Sequence, residues 1–168
     1  MIKVAIVDDN QINRITIKEK LAPYQDVLLV FEATNGEDFF EKLESLPKED
    51  YPQVVLMDLE MPILDGIVTI ASASIKFPEI KYIVLTIYED DDKIFEAIKA
   101  GASGYLLKED KAINIVEAMK NVVQFDGIPM SPAIARRAME LLRDTPKPTA
   151  SMQNAIIDHQ LSDREMEI

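Results

Sequence analysis

The chain has 168 residues, 18 of them basic and 30 acidic, for a formal net charge of -12, and it contains no cysteine. That length suits one domain of ordinary size plus an appendage. The absent cysteines exclude a disulfide framework and thiolate metal sites, no run approaches the about 20 apolar residues that span a bilayer, and the acidic surface repels nucleic acid and anionic membrane. A soluble, cytoplasmic chain that does not itself grip DNA is the expectation.

In chain order, Ile2 to Val7 is an apolar, β-branched run ending in Asp8-Asp9, and Gln11 to Leu21 follows with helical spacing up to Pro23. Val27 to Phe31 reads as a second strand, after which Asn35-Gly36 opens a helix with Phe39, Leu43 and Leu46 on one face. Val54 to Met57 is a short apolar run that delivers Asp58 to its end, with turn chemistry in Pro62 and Asp65-Gly66 beyond it. A helix from about Ile67 to Lys76, a strand Tyr82 to Thr86 and a helix from about Asp91 to Ala100 continue the alternation. Gly101 and Gly104 bracket a turn into a strand Tyr105 to Leu107, and Ala112 to Phe125 closes the series with Val116, Met119 and Val123 on one face.

Five near-continuous apolar strands, each followed by a helix, predict a parallel sheet covered on both sides, a doubly wound α/β domain ending near Asp126. All strand ends of such a sheet share one edge, where open α/β sheets bind ligands. That edge collects Asp8, Asp9, Asp58, Thr86 and Lys108. Helix capping is the plain alternative for the three aspartates, strand termination for Thr86 and a solvated turn for Lys108. Three converging carboxylates repel one another unless a cation is present, and a few carboxylates plus water is how Mg²⁺ is held. A lysine and a hydroxyl beside a metal-bound carboxylate are the parts for phosphoryl transfer to an aspartate.

The motifs VDDN, MDLEMPILDG, VLTIYED and GYLLKED, in this order from Val4 to about Asp126, resemble the receiver domain of two-component response regulators. The resemblance implies a flavodoxin-like five-stranded parallel sheet of order 2-1-3-4-5 and a phosphoryl group accepted on Asp58 from a sensor histidine kinase. It further implies Mg²⁺ held by Asp9 and Asp58, by Asp8 largely through water, and by the backbone carbonyl of Glu60. Lys108 would pair with the phosphoryl group, and Thr86 would move to bond it and let Tyr105 swing inward. Such a protein catalyses its own phosphorylation and is not a turnover enzyme. Departures from the common pattern are Ile87 after Thr86, where many receivers have a small residue, and Glu109 after Lys108, where many have proline.

After Asp126 the character changes. Ser131-Pro132 restarts a helix with Ile134, Ala138, Leu141 and Leu142 on its apolar side, and Thr145 to Thr149 is a proline-containing spacer. Ser162 and Glu165 have capping-box spacing, and LSDREMEI resembles the opening of a LuxR-type helix-turn-helix domain. The expected organisation is therefore a receiver over 1–126, a linker over 127–150, and the incomplete start of an output domain over 151–168. On this reading DNA is bound only through that domain, most of which is missing, and phosphorylation favours a homodimer. A stand-alone phosphoryl shuttle, an aspartate-nucleophile phosphatase and a flavodoxin-like cofactor binder are the alternatives. His159 reads as a solvated linker residue, and Glu89 to Asp92 as a solvated helix start.

Overall fold

The computed structural model describes residues 1–144. The spacer, His159 and the Ser162–Glu165 pair lie outside the described residues. The chain divides into two compact units, Met1–Ala138 and Met139–Ile168. In the first, strands β1 (Ile2–Val7), β2 (Val27–Ala33), β3 (Val54–Met57), β4 (Lys81–Thr86) and β5 (Gly104–Leu107) alternate with helices α1 (Gln11–Leu21), α2 (Gly36–Glu44), α3 (Gly66–Lys76), α4 (Asp91–Ala100) and α5 (Ala112–Phe125). All strand pairs are parallel and the order is β2-β1-β3-β4-β5, the flavodoxin-like arrangement the sequence motifs imply. A further helix, α6 (Pro132–Asp144), begins in the first unit.

The central strands are almost entirely apolar, with Lys3 in β1 and Lys81 and Thr86 in β4 as the exceptions, because both faces are covered. Val4, Ile6, Leu56, Ile83, Leu85 and Leu106 pack with Ile17 and Leu21 of α1 and with Ile115, Val116, Met119 and Val122 of α5. Across the sheet Phe39 of α2 meets the Tyr82 ring edge-on at 6.5 Å, and the Tyr82 hydroxyl donates to the carbonyls of Ala73 and Phe77, so a buried phenol is satisfied. Each fully buried aliphatic side chain here stabilises by about 1.5–3 kcal/mol.

The structure adjusts several expected boundaries. β2 runs two residues beyond Phe31, to Ala33, because its pairing with β1 continues to Val7. Leu46 lies outside α2, which is capped at Ser45, and a 3-10 turn occupies Lys48–Asp50. On α5 the core position is Val122, with Val123 only partly buried. Of the residues expected on the apolar side of α6, Ile134 is buried and Leu142 is exposed.

Candidate functional site

Backbone bonds tie the carboxyl end of β1 to that of β2, β3 to β1, and β5 to β4. The Asp8 amide donates to Ala33, that of Asp58 to Val7 and that of Lys108 to Thr86. None of the expected aspartates is spent on capping. Asn10 caps α1, accepting from the amides of Ile12 and Asn13, and Asp65 caps α3, accepting from Val68. Asp8, Asp9 and Asp58 therefore remain available, and each offers one carboxylate oxygen within 4.8 Å of the others, with Asp8 and Asp58 buried and Asp9 exposed.

Lys108 bridges the two buried acids, its Nζ 2.7 Å from Asp8 Oδ2 and 3.3 Å from Asp58 Oδ2. The second oxygen of each has its own donor, the Asn10 amide for Asp8 Oδ1 and the Leu59 amide for Asp58 Oδ1, each at 2.9 Å. Burial first, and then the neighbouring Asp8 charge, push the Asp58 carboxyl above the usual carboxylate range, against the opposing pull of Lys108. One ammonium thus faces two crowded carboxylates. Asp8 Oδ2, although ion-paired, is buried without an aligned hydrogen-bond donor. An all-oxygen set with an under-satisfied buried anion fits a hard divalent cation such as Mg²⁺.

The loop after β3 approaches this pocket closely. Gly66 donates to the Leu59 carbonyl, and a Cβ on it would lie 2.0 Å from the carbonyl oxygen of Asp58, so only glycine fits. Ile63 takes a left-handed conformation, φ 69°, inside the tight Pro62–Leu64 turn, a strained state for a β-branched residue.

Thr86 is wholly buried at the end of β4, and its hydroxyl accepts the Tyr88 amide at 3.4 Å. Tyr105 already lies inward, 1% exposed, with its hydroxyl donating to the Tyr88 carbonyl at 2.6 Å. Glu60 sits on the loop after β3, and its exposed carboxylate accepts from the Tyr88 hydroxyl at 2.7 Å and stands 3.6 Å from Lys93. Ile87, exposed, follows Thr86. The acidic run after it forms the exposed start of α4, where Asp91 pairs with Arg137 of α6.

Sequence reasoning missed the groups that hold this edge from behind. Arg14 donates to the Asp8 carbonyl at 2.7 Å, and Lys20 donates to the carbonyls of Lys108 and Asp110 at 2.8 and 3.0 Å. Both are helical lysine or arginine residues whose partners lie on other elements, and no local pattern marks them.

Fold and site together define a doubly wound α/β domain with a carboxylate pocket at the carboxyl edge of its sheet. Residues 4–120 match the response regulator receiver domain, and the chain belongs to that family. It is 36% identical over 123 residues to the transcriptional regulatory protein DegU of Brevibacillus brevis, covering 73% of this chain and 50% of DegU. With the transcriptional regulatory protein LiaR of Bacillus subtilis it shares 34% over 169 residues, covering 100% of this chain and 74% of LiaR. It thus spans half of one relative and about three quarters of the other. Among solved structures, a LuxR-family two-component response regulator from Aurantimonas sp. SI85-9A1 superposes with a TM-score of 0.75 at 24% identity, covering 84% of this chain and 98% of that one, a likeness of fold. Among the described residues no helix is long and apolar enough to cross a membrane.

Proposed function

We propose that Asp58 is the phosphoacceptor of a two-component response regulator, taking its phosphoryl group from a phosphohistidine of a sensor histidine kinase. The observation that carries this reading is the Lys108 ammonium seated between Asp8 and Asp58 in a pocket of three carboxylates. An Asp58 carboxylate oxygen attacks phosphorus, the P–N bond of the phosphohistidine breaks, and the imidazole leaves with the electron pair and takes up a proton. The Leu59 amide and Lys108 hold the carboxylate in place for attack. Asp9, Asp58, Asp8 and the Glu60 backbone carbonyl would hold Mg²⁺, which when bound supplies positive charge for the transferring oxygens. Lys108 and the Thr86 hydroxyl serve the same oxygens from the protein side.

The acyl phosphate adds about -1.5 to -2 charge in this pocket. Thr86, drawn toward it, gives up the Tyr88 amide, and the change passes to the loop after β4, to α4 and to Tyr105, the switching element. The chain is a signalling switch and not a turnover enzyme, acts in the cytoplasm, and pairs with a second copy when phosphorylated. DNA binding and transcriptional control belong to a C-terminal LuxR-type domain of which residues 151–168 are the beginning.

The test is intact mass after incubation with Mg²⁺ and acetyl phosphate. A single phosphoryl adduct is expected for the wild type and none for Asp58→Asn; a folded, Mg²⁺-binding protein without an adduct would overturn the reading.

A further inference from the structure

We propose that Ser131, on the segment between α5 and α6, is a positioning residue for Lys108, so that the docking of this segment and the chemistry at Asp58 are coupled. The inference rests on the phosphoacceptor reading above. The segment lies along the outer edge of β5. The Tyr105 amide donates to the Pro129 carbonyl and the Ser131 amide donates to the Tyr105 carbonyl, forming a parallel bridge between Tyr105 and Met130. Gly104 makes room for it, since a Cβ there would lie 2.7 Å from the Pro129 oxygen.

At the end of this short pairing Ser131 turns toward the loop that carries Lys108. Its Oγ accepts the buried Leu107 amide at 3.1 Å and donates to Asp110 Oδ2, which also accepts the Leu107 amide at 3.2 Å. Leu107, Ser131 and Asp110 therefore close a triangle around the backbone immediately before Lys108. From the other side Lys20 takes the carbonyls of Lys108 and Asp110. The lysine that faces two carboxylates stands on a loop clamped from both flanks, one clamp from α1 and one from the segment leaving the domain.

Helix α6, which continues directly from this segment, provides a second hold. Ile134 is fully buried, and Arg137 reaches Asp91 at the start of α4, directly after the loop that follows Thr86 and contains Tyr88. The segment and the start of α6 thus touch both sides of the pocket's response, the Lys108 loop through Ser131 and the α4 start through Arg137. Tyr105 joins them, with its backbone bonded to the segment and its hydroxyl bonded to Tyr88. Coupling of this kind is reciprocal. Releasing the Ser131 clasp alters the Lys108 placement, and drawing Lys108 toward a phosphoryl group pulls on the clasp.

The test uses the full chain as Ser131→Ala, which removes the hydroxyl, and Ser131→Thr, which keeps it. With acetyl phosphate and Mg²⁺, Ser131→Ala is expected to lower the saturating rate of adduct formation about five-fold while Mg²⁺ affinity stays unchanged, and Ser131→Thr to restore the rate. Backbone amide NMR of the unloaded proteins is expected to shift Asp8, Asp58 and Lys108 in the alanine variant, with Leu43 as an unmoved reference. Equal rates in all three proteins, or a fall that threonine does not restore, would overturn the proposal. So would NMR shifts confined to residues 107–110 and 131. If the wild type forms no adduct, the phosphoacceptor reading fails by itself, and the NMR comparison still decides whether Ser131 places Lys108.

Discussion

The floor of the sheet and its carboxyl edge follow opposite rules. Beneath the edge, Val4, Ile6, Leu56 and Ile83 are wholly or almost wholly buried among apolar neighbours, and even the Tyr82 phenol has its acceptors. At the edge, two buried carboxylates share one ammonium and one carboxylate oxygen lacks an aligned donor. Stability gathered below holds charges together above that would otherwise move apart, the usual relation between a scaffold and a strained site.

Four substitutions or additions break or sharpen this contrast. Leu56→Ala, in the floor, is expected to cost about 4 kcal/mol in denaturant unfolding, yet the folded fraction should still form the Asp58 adduct. Lys108→Ala leaves Asp8 and Asp58 buried without their shared counter-charge and should cost about 3 kcal/mol in chelator. Its loss should also slow adduct formation at least ten-fold, which separates it from Leu56→Ala. Adding Mg²⁺ at 100 times its dissociation constant should stabilise the wild type by about 2.7 kcal/mol, seen as a raised Tm that Asp9→Asn and Asp58→Asn do not show.

The smallest expected effect is opposite in sign to those of Leu56→Ala and Lys108→Ala. Burial holds the Asp58 carboxyl above its usual range, so in the fold its charged form is disfavoured relative to the unfolded chain. The group's favourable contribution is present below the unfolded carboxylate pKa, near about 3.9, and is lost as pH rises through the elevated folded value. Without Mg²⁺ at neutral pH, Asp58→Asn should therefore stabilise the domain by about 1 kcal/mol, or about 3 °C in Tm. That gain should shrink as the pH of the melts is lowered through the carboxylate range. A variant less stable than wild type at pH 7 in chelator would mean that the Lys108 pair outweighs desolvation.

Much of this molecule can be read along the chain because the informative signals are local. Strand ends bearing Asp8, Asp58, Thr86 and Lys108 follow from apolar runs that stop at a polar residue, and a parallel sheet then gathers them without any knowledge of contacts. What is not legible is which distant group supports each one. Arg14 on the Asp8 carbonyl, Lys20 on the Lys108 loop and Ser131 on the Leu107 amide are single contacts across the fold, with no period or spacing to announce them. Leu46 shows the complementary error, since its helical spacing continues after α2 has ended at Ser45. The left-handed Ile63 breaks local preference, as residues beside a working site often do.

The central claim is that the edge pocket makes Asp58 a Mg²⁺-dependent phosphoacceptor, and its most direct test is to locate the adduct. After acetyl phosphate treatment, borohydride reduction converts an acyl phosphate on aspartate to homoserine, which peptide mass spectrometry assigns to a position. The account predicts homoserine at position 58 alone, lost when Mg²⁺ is chelated. Label at Asp9 or another residue, or label at Asp58 that persists without Mg²⁺, would contradict it.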